Sequence, residues 1–164
     1  VCLAFFGVKQ MALVKTQGTN LYIIDGDEVL KIDQVTAVSP GTDSANKIDV
    51  TPLDEKVSKQ YVSGLSDPSE STFSITLDTE SAAHKKVLEL ARTKKEGIVF
   101  VLGGSDGTGD PTVASKTIKL PTTRTCWKWT GSIASASLTT EVDNVMKYEV
   151  SITRSTSVDV QFKS

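Results

Sequence analysis

"STFSITLDTESAAHKKVLELARTKKEGIVFVL", Ser71 to Leu102, changes its hydrophobic period twice. Over Thr72–Asp78 the residues alternate strictly, with Phe73, Ile75 and Leu77 on one side and Ser74, Thr76 and Asp78 on the other. Successive side chains of a strand point to opposite faces, so this is a half-buried strand. From about residue 80 to 95 the period lengthens, and Ala83, Val87, Leu90 and Ala91 fall on one face of a helix. Asp78 or Thr79 is placed to cap it, Glu80 suits its first turn, Lys94 and Lys95 its last, and Gly97 its end. Ile98–Leu102 is then an unbroken apolar run, expected of a central strand.

Outward from this unit the chain reads as short strands. Leu21–Ile24, "DGD" and Glu28–Val35 predict a hairpin turning at Asp25-Gly26, because glycine accepts positive φ and Asp tolerates it. Ser39–Asn46 is a loop by composition, and Lys47–Val50 a short strand before Pro52. Gly103–Pro111 reads as a mobile hairpin loop. Thr112–Leu120, Thr125–Thr130 and Ser132–Thr140 are strand candidates, and Lys147–Arg154 alternates with Tyr148, Val150 and Ile152 inward. Val158, Val160 and Phe162 suggest one more short strand or a terminal arm. Many short strands and one helix predict a mainly β fold: a β-sandwich or split barrel with one flanking α-helix at about 80–95 and a long loop at about 39–71.

The bulk properties suit one domain of 164 residues, large enough to bury a core without staples. Residues 11–164 are expected to form it. "VCLAFFGVKQ" (1–10) reads as an upstream extension before the more natural start at Met11. A net charge of −2 argues against a general nucleic-acid binder. Cys2 and Cys126 have no motif spacing and read as free thiols.

Catalytic and metal motifs are missing from this pattern. His84 is the single histidine, and it reads as a solvated or half-buried helix residue. One helical histidine makes no triad and no zinc motif, so neither catalytic nor metal-binding residues are assigned. Asp106 and Asp110 among glycines suggest a calcium loop only faintly, since the closing Glu of an EF-hand is missing. The acid pairs Asp25/Asp27 and Asp54/Glu55 read as solvated. Trp127 and Trp129 share a strand face, which favours core or interface packing over ligand stacking. No cofactor is expected, and function is sought in surfaces. The segment Ser39–Ser71 is the first candidate, because unstructured loops beyond about 12–15 residues are uncommon unless functional.

The order of these features resembles the major tail tube proteins of long-tailed, lambda-type bacteriophages. The residues that carry the likeness lie in "KIDQVTAVSPGTDSANKIDVTPLDEKVSKQYVSGLSDPSESTFSITLD". They are Thr51, Leu53 and Asp54, then Tyr61, then Gly64, Leu65, Asp67, Glu70 and Phe73. The single helix follows, and "WKWTGSIASASLTTEVDNVMKYEVSITRS" resembles the closing hairpin of the family. The likeness runs from about Leu13 to Ser155. The chain ends soon after the closing strand, so the extra C-terminal immunoglobulin-like domain of some members is not expected.

The resemblance implies a structural, non-enzymatic subunit of a virion tail. It would assemble with itself into stacked, hexameric rings and so form a channel for genome delivery. Implied partners are tail initiator and terminator proteins and a tape measure protein. DNA would cross the lumen without specific binding, past acids for which Asp25, Asp27 and Glu28 are candidates, and no membrane would be involved. Assembly would take place in the host cytoplasm. The family's long segment orders on assembly, and here Leu53, Asp54, Tyr61 and Leu65 are the candidate subunit-interface residues. Sparse anchors in a charged segment fit that expectation, since ordering backbone costs about 1–2 kcal/mol per residue. The alternatives are a tube component of a secretion or contractile-injection system, which would share the fold, and a ligand-binding β-sandwich.

Overall fold

The alternating run and the apolar run on either side of the helix are both strands of one antiparallel sheet. The structure, a computed structural model, describes residues 13–164. The expected extension at 1–10 and Cys2 lie outside these residues. In chain order the strands are β1 (Asn20–Asp25), β2 (Glu28–Ile32), β3 (Val35–Ser39), β4 (Asp43–Asp49), β5 (Tyr61–Pro68) and β6 (Ser71–Thr76). The helix α1 (Ala82–Thr93) follows, then β7 (Ile98–Gly103), β8 (Thr112–Ala114), β9 (Thr117–Lys119), β10 (Cys126–Thr139), β11 (Lys147–Arg154) and β12 (Asp159–Gln161).

The main sheet runs β2-β1-β7-β10-β11-β6-β3, with β12 added beside β10. Residues from both ends of this order share one core: Ile23 and Ile32 at one end, Phe73 and Ile75 at the other, with Phe100, Trp129 and Val150 between. The sheet therefore curls over on itself. Its terminal strands β2 and β3 do not pair, so the barrel stays split. The helix closes the core with Val87 and Leu90. Trp129 lies parallel to Phe100, with ring centroids 6.0 Å apart, so the core reading of that tryptophan holds. A second, smaller core forms on the outer face of β1 and β7, where Tyr22, Ile24, Val101 and Cys126 are covered by Val113 and Ile118 of the β8–β9 hairpin. Alternate residues of β1 thus serve different cores, which explains why Leu21 through Ile24 are all buried.

Several local expectations are corrected. The first hairpin pairs Asp25 with Glu28, so its turn is Gly26-Asp27, with Gly26 at φ 67°. Glu28–Val35 is not one strand. The chain breaks at Asp33-Gln34, where Gln34 adopts φ 57°, and β3 then pairs with β6 instead. Thr125–Thr130 and Ser132–Thr140 are one strand, β10, irregular between Ile133 and Ser135. The helix starts at Ser81 without a side-chain cap and ends on Lys94 at φ 53°, ahead of Gly97. Asp25 is not a freely solvated acid, because Lys86 and Lys95 both pair with it.

His84 is not solvated; it is 1% exposed and inside the core. Its Nδ1 accepts the backbone N–H of Asp78 (3.0 Å), so Nε2 carries the proton and donates to the carbonyl of Asp33 (2.8 Å). The ring ties the helix to the link between β2 and β3.

The glycine-rich loop is likewise held in place. Buried Arg124 donates to the carbonyls of Gly103 (2.6 Å), Gly104 (2.9 Å) and Gly109 (3.1 Å). A Cβ on Gly103 would stand 2.6 Å from the guanidinium carbon, and one on Gly107 would stand 1.9 Å from the carbonyl oxygen of Thr123. The glycines permit close approach. Asp106 accepts the backbone N–H and hydroxyl of Thr125, and the hydroxyl in the first place holds its carboxyl below the usual range. Asp110 accepts the Tyr22 hydroxyl (2.5 Å). The two carboxylates thus serve separate protein donors.

Burial first, then Asp110, pushes the Tyr22 phenol up to about 12 from 10.0. Below pH 10 the phenol is neutral in both folded and unfolded chains. Between 10 and 12 the unfolded chain loses the proton first, so folding stability falls as pH rises through that window, by on the order of 2 kcal/mol. Urea unfolding across this range will show the fall, and Y22F will remove most of it. An unchanged slope in Y22F would show that other groups set the alkaline limit.

Candidate assembly surface

β4 and β5 pair only with each other, from Asp43↔Pro68 to Asp49↔Tyr61, and stand off the main sheet. The segment read as a long loop over 39–71 is therefore a two-stranded arm. Ser39–Asn46, read as a loop, enters β4 at Asp43. The short strand expected at Lys47–Val50 is the second half of β4, and composition hid the first half because no face of the strand is buried: every residue of β4 is exposed. Period-two burial is the signal that marks a strand in sequence, and a free ribbon lacks it.

The root of the arm is tightly made. Ser69 N–H donates to the carbonyl of Thr42 (3.1 Å), and Thr42 N–H donates to the Ser69 hydroxyl (2.8 Å). Gly41, at φ 78°, passes so close that a Cβ would stand 2.4 Å from the carbonyl oxygen of Glu70. Beneath them lies the last residue of β11. The guanidinium of Arg154, fully buried, donates to the carbonyls of Ser69 (2.6 Å) and Thr42 (2.8 Å) and pairs with Asp43 (2.7 Å). Asp43 also accepts the backbone N–H of Val158 (3.3 Å). One buried cation thus joins both strands of the arm to the end of a core strand. Buried arginine suits this work because its planar fork carries five donors in fixed geometry.

The far end is ordered by its own polar groups. Asp49 accepts the hydroxyl (2.5 Å) and backbone N–H (3.0 Å) of Thr51, and Lys59 lies 3.7 Å away. The Thr51 hydroxyl, then its N–H, holds the Asp49 carboxyl below the usual range. Gln60 N–H donates to the Thr51 hydroxyl (2.8 Å), and Val50 N–H to the carbonyl of Gln60 (2.9 Å). Glu55 accepts the N–H of Val57 (2.8 Å), and this bond with that from Ser58 keeps its carboxyl low.

On this polar frame the apolar side chains point into solvent. Leu53 is 107% exposed, Leu65 90% and Tyr61 53%. Leu53 and Asp54 sit in the tip turn, while Tyr61 and Leu65 sit on β5. All four candidate interface residues are thus displayed on one arm. Sequence reasoning missed Val57, Ile48, which pairs across the ribbon with the exposed Val62, and Arg154. Arg154 was within reach, because Tyr148, Val150 and Ile152 face inward and the next inward position is 154. Replacing Arg154 with Met strands the Asp43 carboxylate and two carbonyls. The expected cost is about 3 kcal/mol in urea unfolding, with faster hydrogen exchange at the Thr42 and Ser69 amides. Unchanged exchange there would show that the root holds without the arginine.

The chain matches the family model described as phage tail tube, TTP, lambda-like, over residues 12–164. It is 38% identical over 104 residues to Structural protein 3 of Pseudomonas phage PAJU2, a match covering 61% of each protein. The chain thus spans about three-fifths of that relative's length. Among solved structures its fold is similar to a chain of the PVC sheath–tube complex of an extracellular contractile injection system, with TM-score 0.66, 10% identity and coverage of 98% and 99%. It is also similar to the SPP1 tail tube, with TM-score 0.58, 11% identity and coverage of 92% and 80%. These likenesses bear on the fold. No helix among the described residues is long and apolar enough to cross a membrane. The chain belongs to the lambda-like phage tail tube family, as a structural component of a virion tail.

Proposed function

We propose that this subunit closes into hexameric rings that stack into the tube, and that its arm makes the contacts between copies through Leu53, Asp54, Tyr61 and Leu65. The observation that carries this reading is the arm itself. Seven large apolar residues stand exposed on it: Ile48, Val50, Leu53, Val57, Tyr61, Val62 and Leu65. Exposed apolar side chains gathered on one element in this way mark interaction sites. Burying Leu53, Val57 and Leu65 alone would return about 5–8 kcal/mol. The arm enters assembly as a formed ribbon, so less ordering entropy opposes the contact than a loose loop would impose. Open sheet edges at β2, β3 and the arm supply further hydrogen-bonding groups for neighbouring copies.

In this reading residues 11–164 act as one domain, and the role is structural, without catalysis. Tail initiator and terminator proteins bound the tube and a tape measure protein sets its length. Genomic DNA crosses the lumen, and the net charge of −2 suits passage of a polyanion without retention. Assembly takes place in the host cytoplasm before the tail joins the virion.

Purified protein at high concentration is expected to form rings or tubes in negative-stain electron microscopy. Persistent monomers, even with the tail initiator present, would overturn the reading. The variant L53S/Y61S/L65S is expected to keep the wild-type circular dichroism and urea midpoint while losing assembly by at least about tenfold. A variant that unfolds would place these side chains in the folding core instead.

A further inference from the structure

We propose that the tip of the β10–β11 hairpin receives the arm of a second copy of this chain, and so forms the other half of the contact that extends the tube. This rests on the reading of the arm as an assembly element. A subunit that repeats along an axis needs two unlike patches, one at each end, because only a heterologous contact can be propagated. The arm supplies one. It leaves the subunit beside Arg154, the last residue of β11. The hairpin tip, residues 140–146, immediately precedes Lys147, the first residue of the same strand. Eight extended residues separate the two sites, roughly 25 Å at the rise of a β-strand.

The tip carries apolar surface that its own turn does not use. Val142 is 93% exposed, and Val145, Met146 and Leu138 are each about half exposed. Tight turns favour Gly, Pro, Asn, Asp and Ser, so valines at 142 and 145 need another reason. The turn is also held in shape. Asn144 donates to the Glu141 carboxylate (2.9 Å) and accepts the N–H of Val145 (2.9 Å), and Leu77 N–H donates to the carbonyl of Met146 (2.9 Å). Asp143 takes φ 59° to complete it. Val142 is thus presented outward by an ordered frame.

The remaining exposed apolar residues among those described lie at the arm's end of the sheet. Val160 and Phe162 belong to β12 and the residues after it, and β12 pairs with Cys126–Lys128. Leu13 and Val14 precede Lys15, whose carbonyl accepts the Ser105 hydroxyl just beyond β7. Gly103 and Cys126 are paired, and Gly131 is paired with Arg154, so these groups lie toward or beyond the arm root. Only the hairpin tip faces the opposite way. Its chemistry fits the arm: Val142, Val145 and an adaptable Met146 can pack on Leu53 and Val57, and Lys56 between those two can meet Glu141 or Asp143.

Two variants and their mixture test the pairing. The arm variant is L53S/Y61S/L65S and the tip variant is V142D/V145D. Each alone is expected to give no tubes. Mixed in equal amounts they keep one intact arm and one intact tip between them. The mixture is expected to form assemblies two subunits deep along the axis and no deeper, seen by sedimentation and negative-stain electron microscopy. Tubes from the tip variant at wild-type yield would overturn this inference while leaving the arm reading in place. Tubes from the arm variant would overturn the arm reading itself. If both variants are blocked and the mixture recovers nothing, the two surfaces meet separate partners and the pairing is wrong. Should circular dichroism show V142D/V145D misfolded, V142S/V145S carries the same expectations.

Discussion

The pairing of β10 is the constraint on which the rest of the structure depends. One edge of this strand takes β7 along Cys126–Gly131; the other takes β12 at Cys126–Lys128 and β11 from Gly131 onward. The strand therefore joins the half of the sheet that carries β1 and β2 to the half that carries β6 and β3. Gly131 lies where the two ladders overlap, and a Cβ there would stand 2.4 Å from the carbonyl oxygen of Thr153. The irregularity between Ile133 and Ser135 lets the strand bend as the sheet curls. Only because the sheet curls can Ile32 and Phe73, from strands near its opposite ends, meet the helix in one core.

Two buried arginines extend this core into segments that would otherwise be loose. Arg124 gathers the glycine-rich loop by its carbonyls, and Arg154 gathers the root of the arm. Both act on backbone oxygens, which remain the same whatever side chains the loop carries. A guanidinium so placed has most of its donors satisfied, which is the condition under which burying a charge is tolerable. The arm consequently joins rigid core to exposed apolar side chains through a few short hydrogen bonds. In the proposed tube this arrangement matters, since a contact made on an arm positions the neighbour only as well as the arm's root is held.

Legibility in the sequence followed burial. Ser71–Thr76, the helix face at Ala83, Val87 and Leu90, Ile98–Gly103 and Lys147–Arg154 each pack one or both faces in the core, and each announces itself by alternation, helical spacing or, for Ile98–Gly103, an unbroken apolar run. The arm strands pack neither face, so nothing periodic survives in them. The break at Asp33-Gln34 was hidden for another reason: β2 and β3 are both apolar enough to read as one strand, and only their different partners separate them. The candidate residues Leu53, Asp54, Tyr61 and Leu65 came from likeness to a family, and their shared exposure on one ribbon is a property of the fold.

By itself the sequence determined the class of the protein: a mainly β chain with one helix and no catalytic pattern, its core strands marked by alternation and its family by the order of short motifs. Alternation and helical spacing are local, so they can be read residue by residue. Tertiary structure alone decided that the sheet curls without closing, that His84 staples the helix and that glycines at 103 and 107 admit close contacts. It also decided that Arg154 anchors the arm. Each of these depends on groups far apart in sequence meeting in space, as Thr42 and Arg154 do across 112 positions. Such meetings follow from how the whole sheet curls, and no local pattern records them.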